Sequence, residues 1–155
     1  MTSKDAAGNT KNVLGNITVN LTDGAASGLF YSDNGCGSAI TQTTIATGTN
    51  TTAFYYRDNV AESITLSAAD NAASLATGTL AVVTGPDHLL LAGNATFKTG
   101  TCQAYTVTSK DQAGNTTSVL TNTTVNVSDG AASGSFFSDN ICTIGITSTS
   151  ILSGS

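Results

Sequence analysis

The side chains able to do chemistry are few, and most sit at turns. His88 is the single histidine of the chain, so any Ser/His/Asp catalytic set must be built on it. It lies in Gly85-Pro-Asp-His-Leu-Leu-Leu91. Asp87 is its immediate neighbour, a placement that orients an imidazole poorly, and no G-x-S-x-G elbow presents a serine. His88 reads as a surface-turn residue, and the chain is expected not to be an enzyme. The carboxylates Asp5, Asp23 and Asp33 recur as Asp111, Asp129 and Asp139, and Asp70 stands apart. Calcium takes six to eight oxygens, usually from several carboxylates. Here carboxylates are sparse and no D-x-D-x-D-G loop occurs, so the aspartates are expected to form turns, with calcium the one cofactor left open. Three cysteines, Cys36, Cys102 and Cys142, come without a C-x-x-C pair, which excludes the common zinc spacing.

Composition narrows the field. Only 10% of the 155 residues are charged, against about 25% in an average soluble domain. The net charge is −5, and Lys4, Lys11, Arg57, Lys98 and Lys110 are scattered, so no stripe exists to track a phosphate backbone and nucleic acid is not an expected partner. No apolar run approaches the ~18 residues of a membrane helix. No hydrophobic leader follows Met1, so an export signal, if used, is expected outside this sequence. Asn-x-Ser/Thr sequons at Asn16, Asn20, Asn50, Asn94, Asn115, Asn122 and Asn126 follow from an Asn- and Thr-rich composition.

A duplication positions many of these residues. Segment 2–49 aligns without a gap to 108–155, at a constant offset of 106, with identity at 30 of 48 positions. That period is too long for a solenoid repeat and fits a whole sandwich domain of about 100 residues. Ile17, Val19 and Leu21 alternate with Asn16, Thr18 and Asn20, and Thr123, Val125 and Val127 repeat the pattern with one change; this is the period of a half-buried strand. Cys102, Ala104 and Thr106 likewise alternate with Gln103, Tyr105 and Val107. No segment carries a sustained helical period. Asp5-Ala-Ala-Gly8-Asn9 and Asp111-Gln-Ala-Gly114-Asn115 predict hairpin turns in which Gly and Asn supply positive φ, as do Asp23-Gly24 and Asp129-Gly130. Residues 53–57 and 63–68, parted by Asp58-Asn59, predict a closing hairpin, and 80–86 an opening strand. The expected organisation is 1–77 as the C-terminal part of one module and 78–155 as the N-terminal part of the next.

The run Tyr105-Thr-Val-Thr-Ser-Lys-Asp-Gln-Ala-Gly-Asn115 resembles the strand-and-turn of bacterial immunoglobulin-like repeats of the invasin and intimin style. Phe54-Tyr-Tyr-Arg-Asp58 with Ile64-Thr-Leu-Ser-Ala68 resembles their last strands, and Ser-Gly-x-Phe with Ser-Asp-Asn before a cysteine extends the likeness over nearly the whole chain. The resemblance implies an all-β fold of antiparallel immunoglobulin-like β-sandwich modules in tandem. It also implies an extracellular or cell-surface setting, as a structural part of a fibre, stalk or adhesin.

In such a module the cysteines acquire roles. Cys36 and Cys142 are equivalent, while the position matching Cys102 falls before residue 1. Two cysteines per period point to one disulfide, Cys102–Cys142, leaving Cys36 unpaired or inter-chain; Cys102–Cys36 and free thiols are the alternatives. The expected partners are copies of the chain itself or adjacent repeats, with head-to-tail assembly by strand complementation set against the chain's being a window on a longer repeat protein. Either way, the ends are expected to meet a neighbouring copy or to fray. The alternative function is a ligand-binding adhesin module for carbohydrate or a host or prey surface protein, which needs an aromatic platform from Phe54, Tyr55, Tyr56, Phe136 and Phe137. Phe30 and Tyr31 occupy the places equivalent to Phe136 and Phe137, and a recurring pair of this kind reads as packing.

Overall fold

A computed structural model describes residues 1–25, 27–131 and 133–154. Every regular element among them is a β-strand, and all strand pairs are antiparallel. The chain divides into two compact units, Met1–Thr84 and Gly85–Ser155.

The first unit holds two sheets. β1 (Ile17–Thr22) lies between β4 (Gln42–Ile45) and β6 (Ser63–Asp70), and β7 (Gly78–Val83) adds to the outer edge of β6. The second sheet sets β2 (Leu29–Tyr31) between β3 (Ala39–Ile40) and β5 (Tyr55–Arg57). One hydrophobic cluster joins them: Val13, Val19, Leu21 and Ile45 meet Phe30, with Ile17, Ile40, Phe54, Tyr56, Leu66 and Ala68 packed around. Period-two alternation produces this arrangement, because Val19 and Leu21 point to the same face of β1 and both are buried.

Two expectations need correction. Residues 53–57 and 63–68 do not form a hairpin, since β5 pairs with β2 in one sheet and β6 with β1 and β7 in the other. The segment 58–62 instead crosses between sheets, as burying both Tyr56 and Leu66 against one core requires. The strand expected to open a second module, β7, closes onto β6 through the turn after Asp70, from Ala68↔Gly78 to Ser63↔Val83.

The second unit begins with a two-stranded sheet of β8 (His88–Gly93) and β9 (Tyr105–Lys110). Two further pairs follow, β10 (Thr123–Asn126) with β13 (Ser148–Ile151) and β11 (Phe136–Phe137) with β12 (Gly145–Ile146). They repeat the first unit residue for residue: Val19↔Thr43 corresponds to Val125↔Thr149, and Phe30↔Ile40 to Phe136↔Ile146. Turn geometry repeats as well. Gly8 and Gly114 take φ of +84° and +87°, and Cys36 and Cys142 take +52° and +54°. In the Asp5–Asn9 and Asp111–Asn115 turns only the glycine enters the left-handed region, while each asparagine bonds back to its aspartate.

Candidate functional site

Among the described residues, no three His, Cys, Asp or Glu side chains come together as a metal ion would require. The recurrent aspartates are engaged by backbone. Asp5 Oδ1 accepts from the amides of Ala7 and Asn9 at 3.0 and 2.9 Å. Asp33 accepts from Gly37 and Ser38, Asp139 from Thr143 and Ile144, and Asp70 from Ala72, Ser74 and Leu75. Bonds to the ionised carboxylate hold each of these four groups below its ordinary titration range. The leading donors are the Asn9 amide for Asp5, the Gly37 amide for Asp33, the Ser74 hydroxyl for Asp70 and the Ile144 amide for Asp139. These are Asx-type loop closures.

Cys102 and Cys142 form a disulfide, with Cα atoms 5.9 Å apart and 40 residues of separation. Cys36 is a free, half-buried thiol. Cys142 sits in the Asp139 loop and Cys36 in the equivalent Asp33 loop, so one loop geometry carries a crosslink in one copy and a thiol in the other. His88 opens β8 with Nδ1 3.2 Å from Asp87 Oδ2, both side chains exposed.

Three aromatic residues of the first unit, Phe30, Phe54 and Tyr56, pack into the core. Phe30 and Tyr31 are buried. Phe30 meets the edge of Phe54 at 5.7 Å between centroids and lies 5.1 Å from Tyr56. Tyr55, the neighbour pointing the other way, is exposed. The Arg57 guanidinium lies 5.3 Å above the Tyr31 ring and donates to its hydroxyl at 3.1 Å. The Tyr56 hydroxyl approaches Asp23 Oδ2 at 3.0 Å and Asp58 Oδ2 at 3.1 Å. Burial, then these two carboxylates, push its ionisation well above the ordinary phenol range. Gly28 makes room for it, since a Cβ there would fall 1.8 Å from the Tyr56 hydroxyl oxygen and 2.6 Å from Asp23 Oδ2.

The second unit repeats the residues of this seat, but there Asp129 Oδ2 itself lies over Gly134, 1.8 Å from where a Cβ would stand. Asp129, Gly134 and Phe136, the equivalents of Asp23, Gly28 and Phe30, line an open cleft of about 560 Å³ together with Val127 and Ile146. The sequence reads Asp129 as a turn former and Phe136 as packing and gives Gly134 no role. The recurrence of Asp-Gly-Ala-Ala-Ser-Gly at 23–28 and 129–134 was the available signal.

Comparison with protein-family models, curated proteins and solved structures finds no match to this chain. Among the described residues no helix is long and apolar enough to cross a membrane.

Proposed function

We propose that this chain is a structural repeat segment of an extracellular bacterial fibre, stalk or adhesin, built from tandem immunoglobulin-like β-sandwich modules. The observation that carries the reading is the duplication at a whole-domain period, with one strand register serving both copies. Two sheets around a shared core in the first unit support the sandwich. The Cys102–Cys142 bridge supports an oxidising compartment. A surface of Thr, Asn, Ser and Gly with few charges supplies solubility without a charged recognition patch.

The chain is read as non-enzymatic and without a required cofactor. The inward packing of Phe30, Phe54 and Tyr56 supports a spacer over a carbohydrate-binding platform, because these rings are spent on the core. Arrays of glycans and of cell-surface proteins test this directly. A spacer gives no saturable, ring-dependent binding. Saturable binding to one glycan class that is lost on Tyr55→Ala, with the fold intact, overturns the reading in favour of an adhesin module.

A further inference from the structure

Asn34-Gly35 is the single Asn-Gly pair of the chain. It lies in the loop between β2 and β3, and both residues are exposed. The Asp33 carboxylate shapes this loop by accepting from the amides of Gly37 at 3.1 Å and Ser38 at 2.8 Å. The Cys36 amide closes a turn on the Asp33 carbonyl at 3.2 Å. Among the described residues the Asn34 side-chain amide has no hydrogen-bond partner, and the Gly35 amide bonds to no carbonyl. The second copy repeats the loop. Asp139 accepts from the amides of Thr143 and Ile144, and the Cys142 amide closes the same turn on the Asp139 carbonyl at 3.3 Å. Asn140 is exposed like Asn34, but the residue after it is Ile141. The two loops thus differ at the residue following the asparagine and in the crosslink at Cys142.

We propose that Asn34-Gly35 is a self-modification site, at which Asn34 is converted to an aspartyl or isoaspartyl residue while Asn140 is spared. The Gly35 amide nitrogen attacks Asn34 Cγ. A bond forms between these two atoms and the Cγ–Nδ2 bond breaks. The Gly35 amide proton passes to solvent base, and Nδ2 takes a proton from water and leaves as ammonia. The product is a five-membered succinimide. One water molecule opens it at either carbonyl, giving an aspartyl residue or one whose backbone runs through the side-chain carbon. Glycine permits the attack because it has no Cβ to obstruct ring closure. Ile141 carries a stiff, β-branched side chain that hinders the same approach. Exposure admits the water and the base, and no hydrogen bond holds the Asn34 side chain away from the backbone. Either product places a new negative charge beside Asp33. The isoaspartyl product also inserts a methylene into the turn that the Cys36 amide closes. The change falls on the loop of the free thiol, in one copy of the repeat only.

The test uses the full chain, folded and with its disulfide intact, incubated in heavy-oxygen water at mildly alkaline pH. It is then digested in ordinary acidic water and mapped by mass spectrometry, with fragmentation that separates aspartyl from isoaspartyl products. The expected result is heavy oxygen incorporated at Asn34, at a rate that rises with pH and is at least about tenfold the rate at Asn140. Gly35→Ile should slow conversion of Asn34 at least about tenfold. The comparison of the two asparagines is made within one unaltered molecule, so a variant that fails to fold cannot obscure it. Equal rates at Asn34 and Asn140, labelling of Asn34 only after the chain is denatured, or an unchanged rate in folded Gly35→Ile would overturn the proposal. None of those outcomes bears on the array experiment, which tests the structural reading by itself.

Discussion

The Tyr56 hydroxyl bonds Asp23 Oδ2 at 3.0 Å and so ties β5 of one sheet to the end of β1 in the other. The bond is partly buried, and Gly28 leaves no atom in its way. Tyr56→Phe keeps the ring against Phe30 and removes the hydroxyl from two carboxylates. A loss of about 1.5–3 kcal/mol is expected in denaturant unfolding of the first unit, the range for a hydrogen bond to a charged group. The same variant should remove the late-ionising phenol from an alkaline absorbance titration. The sign follows from a raised folded pKa: the neutral phenol's contribution is complete below the unfolded value near 10 and is lost as pH rises beyond it.

Ile45 and Ile151 share one register position, opposite Ile17 and Thr123, but only Ile45 is buried, at 2% exposure. Ile45→Ala should cost about 3 kcal/mol, within the range for a core isoleucine. Ile151→Ala should cost less than about half of that, because Ile151 is already half-exposed. Chemical denaturation of the two variants checks the contrast.

Reduction of Cys102–Cys142 should act on the second unit, since neither half-cystine lies in the first. Closing a separation of 40 residues is worth up to about 4 kcal/mol on the chain-entropy model. Amide exchange before and after reductant should lose protection chiefly at β8 to β13. Cys36 should react with a thiol probe throughout, being free and half-buried.

Acid should loosen the loops. The carboxyls of Asp5, Asp33, Asp70 and Asp139 titrate below the ordinary value of 3.8 in the folded chain. Their contribution is present above that value and is lost as pH falls through the lowered folded values. Replacing all four with Asn should flatten the stability profile below about pH 4 while leaving its slope near neutrality unchanged.

Sequence patterning made the all-β class, the antiparallel strands and the disulfide legible, because alternation at 17–21 and 123–127 and the recurrence of Cys36 at Cys142 are local or periodic signals. The sheet assignment of β5 and β6 was not legible. Two aromatic and β-branched runs parted by Asp58-Asn59 look like a hairpin, and only the need to cover β1 and β2 separately sends them to different sheets. The same holds for β7, whose sequence fits an opening strand as well as the partner of β6. The tyrosine seat escaped because Gly28 and Asp23 acquire their roles only through Tyr56, 33 residues from Asp23.

Stretching single molecules from the two ends, with and without reductant, tests the structural reading most directly. The first unit should yield in one cooperative event. The 40-residue separation between Cys102 and Cys142 should add its length, about 130–140 Å when extended, only after reduction. Smooth extension without a force peak, or the same final length in both conditions, would contradict a disulfide-braced structural module.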